Sequence, residues 1–412
     1  MVRAVSGGFI AVLLLTAIAL PVSASDQDAL EISRIIQERH MPNGTVIDPV
    51  FMSPASNTIV AYTRGADSAI WTGHYLAAEA FRYKVTGAAD ALANVRTALQ
   101  GLSSLRLVTG NGVLARCLMP TSWPFATSIT TEEASHGVFT GTINGQTYYW
   151  IGGTSRDQYS GVFFGLGVAY DMVNDPQVRA LISTEVTAHL NFLLNHGWAV
   201  VMPDFSISTV FLGRADQQLS FLQVGRHVNP AQFDSTYQSY RAKYASLVIV
   251  PLFIESLDTN GSYFKFNIDE INLYNLIRLE DVKHYRKTYL RAYRVIHRAI
   301  QSHQNAHFDM IDRALSGPDS ARDSETASLL QGWLLRPKRD VFVDNTGKFP
   351  ACGPNRACSP IPVQDRPTTD FLWQRGPFDL TGGGAGTIES AGIDYILPYW
   401  MARSYGVIPA VN

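Results

Sequence analysis

Helical periodicity runs through most of the chain and is broken by two long stretches that lack it. Ile32, Ile35 and Ile36 fall at helical spacing within Asp26–Arg39, with Asp26 placed to cap that helix. A loop rich in Pro, Asn and Ser follows to Gly65. Asp67 then opens a helix over Ser68–Val85, which Gly87 ends where a C-cap is wanted, and Ala88–Leu107 is the next helix. Val113–Gly153 has no helical period. Inside it, Val138–Ile143 and Gln146–Ile151 read as strands, and Asn144-Gly145 between them is the strongest short hairpin signal.

This hairpin delivers the chain to Trp150–Val173, a segment with a polar, turn-rich head and an apolar body. Gly161, Gly165, Gly167 and Ala169 predict a helix that packs closely in a crowded interior, with Arg156, Asp157 and Tyr159 at its mouth. Asp175 and Pro176 start the next helix, Gln177–Asn195. Further helices are predicted over Ser206–Gly225, from Asn229-Pro230 to Glu255, and over Ile268–Arg278, Asp281–Ile300, Phe308–Leu315 and Ser320–Leu335. Arg336–Gly386 is the second irregular stretch, and Glu389–Tyr405 the last helix, bent or restarted at Pro398. Paired in order, with the terminal helices meeting, these make six helical hairpins. The fold class is therefore all-α, an (α/α)6 toroid with a small β-hairpin and long loops over one face. No fixed-period repeat points to a solenoid.

The pattern resembles the six-hairpin carbohydrate-active enzymes: glycoside hydrolases, uronic-acid lyases and sugar epimerases. Asp67–Thr86, DSAIWTGHYLAAEAFRYKVT, and Thr154–Gly161, TSRDQYSG, carry the resemblance. It implies an exported enzyme acting on an oligo- or polysaccharide, without a cofactor.

Composition narrows this reading. The 412 residues are 17% charged, with a net charge of −2, so no global field favours nucleic acid or an anionic membrane. Arg3, the apolar run Phe9–Leu20 and Val22-Ser23-Ala24 read as a signal peptide over residues 1–24. Residues 25–412 would then be a single catalytic domain, secreted or periplasmic, with no stable membrane anchor after cleavage. Cys352 and Cys358 bracket a short loop and predict a disulfide in an oxidising compartment, whereas Cys117 reads as a packed thiol. The cysteine spacing suggests no metal site.

Asp67 and Asp157 each stand at the start of an otherwise apolar helix, on one rim of the expected ring. Two such carboxylates suit glycoside hydrolysis, one as acid and one as base or nucleophile. The same positions suit helix caps, and for Asp157 the neighbouring Ser155 is an alternative cap. Arg156 and Arg116 are the cations nearest in sequence, able to hold an anionic sugar or to form ion pairs. His303, Asn305 and His307 cluster at a hairpin junction, as proton carriers and substrate contacts or as caps and core groups. Trp71, Tyr75, Tyr159, Trp373 and Trp400 are candidates for stacking on sugar faces or are plain core, and Arg375 lies near Trp373 in a loop that could fold over a site. Lys283, Arg286, Lys287, Arg291, Arg294 and Arg298 mark one helix whose charged side reads as a solvated outer face. A uronate lyase or epimerase is the close alternative to a hydrolase. A non-catalytic glycan-binding or envelope protein is the distant one.

Overall fold

The computed structural model describes residues 24–259, 261, 263–352, 358–368 and 370–410. The proposed signal segment therefore lies almost wholly outside the described residues, as does the loop 353–357. Of the described residues, 57% are helical and 12% are in strands. The chain is mostly helical, but it carries more sheet than the single hairpin expected.

In chain order the elements are α1 (Asp26–Ile35), β1 (Asp48–Phe51), β2 (Ile59–Thr63), α2 (Ser68–Thr86), α3 (Ala89–Leu107), β3 (Cys117–Pro120) and α4 (Ala126–Glu132). There follow β4 (Val138–Ile143), β5 (Gln146–Ile151), α5 (Arg156–Met172), α6 (Pro176–Asn195), β6 (Ala199–Val201), β7 (Ile207–Val210) and α7 (Ala215–Val228). The second half holds α8 (Pro230–Tyr244), α9 (Ile249–Ser256), α10 (Phe264–Arg278), α11 (Lys283–Ile300), α12 (Ala306–Ser316) and α13 (Ser320–Leu334). It ends with β8 (Arg339–Asp344), β9 (Thr381–Glu389) and α14 (Ile393–Ser404).

The helices form two layers. α2 packs against α5 on one side and α14 on the other, α10 lies against α7, α5 and α12, and α12 against α14. These helices are buried along nearly their whole length, so they show no polar outer stripe, and the polar groups they carry, such as Glu79 in α2 and Asp269 in α10, are buried as well. Each also lies against a neighbour in sequence that buries only one stripe: α3 on α2, α8 on α7, α11 on α10 and α13 on α12.

Helix α2 lies in close backbone contact with α5. A Cβ on Gly73 would overlap the carbonyl oxygen of Gly161, so the two backbones touch directly. Gly161 and Gly165 of α5 make this contact possible, whereas Gly167 faces Asn275 of α10, and the contact fixes how the first turns of α2 and α5 sit beside each other.

The predicted hairpin is present residue for residue, with Asn144 and Gly145 at φ 51° and 83°, the left-handed values a tight turn of this kind requires. β5 also pairs with β3, making a three-stranded sheet in the order β3-β5-β4. Several expectations need correction. The helix expected from Ser206 begins only at Ala215, because β6 and β7 form another hairpin there. The helix expected to run to Glu255 breaks after Tyr244 into a short turn and α9. Neither the loop that ends at Gly65 nor the stretch Arg336–Gly386 is structureless, since β2, β1, β9 and β8 make a four-stranded sheet. Ser25 rather than Asp26 caps α1, its hydroxyl accepting from the Asp28 amide.

Cys352 and Cys358 are bonded, with Cα atoms 5.2 Å apart, and Cys117 is a buried free thiol. Among the described residues no helix is long and apolar enough to cross a membrane.

Candidate functional site

The first turns of α2 and α5 open on a cleft of about 690 Å³, lined by Asp67, Trp71, Arg116 and Asp157 from the first half of the chain. Tyr263 and Asn267 line it from the α10 side, and Asp370, Gln374, Arg375 and Asp379 from the loop between β8 and β9. A second lobe of about 420 Å³ shares Arg116, Asp157 and Phe264 with it and adds Arg156, Arg214, Glu255 and Lys265. The two lobes make one groove with Asp157 where they join.

Asp67 occupies the N-cap position of α2, yet its carboxylate caps nothing. The amides it would have served are taken elsewhere. Ala69 donates to the carbonyl of Arg116 (2.9 Å) and Ile70 to Oε1 of Gln158 (2.9 Å). The Asp67 carboxyl is thus released to the cleft, where it accepts from Gln158 Nε2 (3.1 Å) and Gln374 Nε2 (3.5 Å). It keeps 35% of its side-chain surface open and lines the cleft. Burial, followed by the negative charge of Asp157, pushes its carboxyl up to about 6, against the opposing pull of Arg116.

Asp157 is not a cap either. Its Oδ1 accepts from the Ser155 hydroxyl and from the amide of Gln158 (3.1 Å). Ser155 does occupy the N-cap position of α5, but its hydroxyl is turned onto Asp157 instead of an orphan amide. Arg116 holds this arrangement from behind. It donates to Ser155 Oγ (2.7 Å), to the Ala66 carbonyl (2.8 Å) and to the Gly153 carbonyl (3.0 Å), and lies 3.8 Å from Asp67. Arg116 is therefore a girder between the two helix starts and has few donors left for a ligand. Gln158 is the other tie. Its backbone serves one carboxylate and its side chain the other, with its own amide oxygen also satisfied.

The remaining sequence candidates divide. Arg156 lines the second lobe and has no acidic partner among the described residues, so its guanidinium is available. Trp71 forms part of the cleft floor, propped edge-on against Phe371 with ring centres 4.9 Å apart. Arg375 lines the cleft and pairs with Asp370 at 3.0 Å.

Six others sit below or behind the surface. Tyr159 is fully buried, its hydroxyl accepting from the Leu114 amide at 3.2 Å. Trp373 is fully buried and stacks on His74, 5.1 Å away. Trp400 is core. His307 is buried between His74 and Trp373, and burial then drives its imidazole well below the usual histidine range. Asn305 caps α12, accepting from the His307 amide. His303 does not converge with His307. It lies behind the cleft wall, where Nδ1 meets the hydroxyl of Tyr263 at 3.2 Å, and burial lowers it to about 4.

Sequence reasoning missed Gln158, Gln374, Tyr263 and Asp379. Neutral amides carry no motif, and the loop residues reach the cleft only through the long-range β8–β9 pairing. The chain matches no protein-family model, no curated protein and no solved structure.

Proposed function

We propose that this chain is an exported glycan hydrolase in which Asp67 is the general acid and Asp157 the base or nucleophile. The observation that carries the reading is the contrast between the two carboxyls. Both stand at helix starts in one open cleft, neither is spent as a cap, and Asp67 is raised to about 6 while Asp157 contributes the negative charge beside it. A carboxyl raised in this way holds its proton up to about pH 6, well past the point where an ordinary carboxyl has lost it, so it can serve as an acid. Asp67 would deliver its proton to the glycosidic oxygen as the C–O bond breaks. Asp157 would take a proton from the incoming water, or attack the sugar carbon itself, and the anomeric configuration of the product distinguishes these. Trp71 offers the floor a sugar face can stack on, and Arg156 a free cation one subsite away.

For the architecture we propose an (α/α)6 toroid, with α2, α5, α7, α10, α12 and α14 as the inner ring. The packing order of these helices and their all-round burial support it. The cleft would then lie at the mouth of the ring.

One observation favours a lyase or epimerase acting on uronic acids: Tyr263, backed by His303, lines the same cleft as the arginines. A single screen separates the readings. The purified protein is incubated with a panel of polysaccharides while reducing ends and unsaturated-uronate absorbance are followed together. Hydrolysis is expected to release reducing ends with no such absorbance. Absorbance rising in step would establish elimination instead, and binding without either signal would leave a glycan-binding protein.

A further inference from the structure

We infer that the outer face built by α9 and α11 docks on an anionic lipid surface. The inference does not depend on the cleft chemistry. α11 contains eighteen residues and no Asp or Glu. Tyr289, Ala292, Tyr293, Ile296 and Ile300 bury one face of it. On the opposite face Lys283, Lys287, Arg291, Arg294 and Arg298 are all exposed, spaced by three or four residues so that they form one stripe. None has an acidic partner among the described residues. That is unusual in a chain whose net charge is −2 and whose other cations are mostly paired. A helix that only needs to be wetted by water is ordinarily laced with both signs, so an unmixed stripe calls for an anionic partner.

The second observation is apolar. α9 packs directly against α11. The segment leading through α9 exposes Leu247, Val250, Ile254 and Leu257 at the i, i+3, i+7, i+10 positions of a helical face, with Phe253 beside them. Ile254 and Leu257 are 62% and 70% exposed. The ion pair of Arg214 with Glu255 ties this helix to the segment that follows β7, where Leu212 is 66% exposed. Apolar side chains gathered in this way mark an interaction surface. A bare polyanion would pair with the cations but leave this ridge in water. A bilayer satisfies both, its headgroups meeting the stripe and its acyl boundary taking the ridge, as in interfacial amphipathic helices.

The test is co-sedimentation of the intact protein with vesicles of pure phosphatidylcholine and with equimolar phosphatidylcholine and phosphatidylglycerol. Binding to the anionic vesicles alone is expected, and it should disappear in about 1 M salt, where screening acts within about 3 Å. The triple variant Lys287→Glu, Arg291→Glu, Arg294→Glu should bind at least about 100-fold more weakly, since each cation near such a surface contributes roughly fivefold. The double variant Phe253→Ser, Ile254→Ser should lose about tenfold or more while keeping its cations. All five changes are at exposed positions, so a native circular dichroism spectrum is expected for both. No binding to anionic vesicles at low salt would overturn the inference. So would full binding by the Phe253/Ile254 variant together with equal retention of both proteins on heparin, which would assign the face to a soluble polyanion.

Discussion

Asp67→Asn is expected to lose about a thousandfold in glycan turnover and yet, at neutral pH, to unfold at a higher temperature than the parent chain. The activity loss follows from removing the transferable proton, since a positioned general acid or base typically contributes 10²- to 10⁴-fold. Asn keeps the size of the side chain, and its amide oxygen can still accept from Gln158. The stability gain follows from the raised carboxyl. The folded chain holds the Asp67 proton up to about pH 6, whereas the unfolded chain releases it near about pH 3.9. Between these values folding takes up a proton. The parent therefore loses stability as pH rises from about 4 through about 6, and the loss persists above that. Asn does not titrate, so its advantage in thermal unfolding should be present at pH 7 and gone at about pH 4. The effect is a few degrees at most, because a third of the side chain is open to water. Asp157→Asn should be as inactive. It should also lower the Asp67 carboxyl without restoring it to the ordinary range, because burial outweighs the Asp157 charge among the causes. A neutral-pH melting temperature below that of the parent for Asp67→Asn would show that the carboxylate is structural.

Gly73→Ala should be strongly damaging for so small a substitution. At an exposed helix site the change would stabilise by about 1 kcal/mol through helix propensity. Here the new methyl meets the Gly161 carbonyl, which is backbone and cannot swing aside. Overpacking of a well-filled core costs about 1–3 kcal/mol and more where the obstacle is rigid, so the expected net loss is about 3 kcal/mol, read as a fall in the urea midpoint. Turnover should suffer beyond the stability loss, because separating α2 from α5 also separates Asp67 from Asp157. Gly87→Ala is the control. It has φ 64° but nothing within 4 Å of the added carbon, so only the left-handed backbone is strained, at about 1 kcal/mol. An unchanged midpoint for Gly73→Ala would mean that the two helices can part freely.

The long buried helices and the Asn144-Gly145 hairpin were legible because period and turn chemistry are local signals. Asp67 and Asp157 were legible for the same reason: a carboxylate before an apolar helix must either cap it or face outward. What decides between those outcomes is not local. Asp67 is freed by the carbonyl of Arg116 and the side chain of Gln158, forty-nine and ninety-one residues further on. The neighbours of Asp157 divide by helical geometry. Tyr159, two positions on, points roughly to the opposite side of α5 and so into the core. His303 and His307 cluster in sequence but not in space, because α12 begins at Ala306 and carries His307 into the core while His303 stays in the turn before it. The β6–β7 hairpin was hidden because Trp198 and Phe205 take φ 67° and 65°, values no one expects of bulky aromatic residues. β9 was hidden because Gly382, Gly383, Gly384 and Gly386 carry no side-chain alternation, and its partner β8 lies far away in sequence. The loop this sheet anchors brings Gln374 onto Asp67 and Trp373 beneath Trp71, so part of the site depends on pairing that no local pattern announces.

On the proposed mechanism Asp67 works as a protonated acid beside Asp157. The pH dependence of kcat/KM for a glycan cleaved by the parent chain tests it most directly, since that ratio reports the free enzyme. The account predicts a rate that falls on the alkaline side with a midpoint near the value of about 6 that burial and Asp157 impose on Asp67. A rate that is flat or still rising between about pH 6 and about pH 8 would contradict it, because the proton assigned to Asp67 would by then be gone.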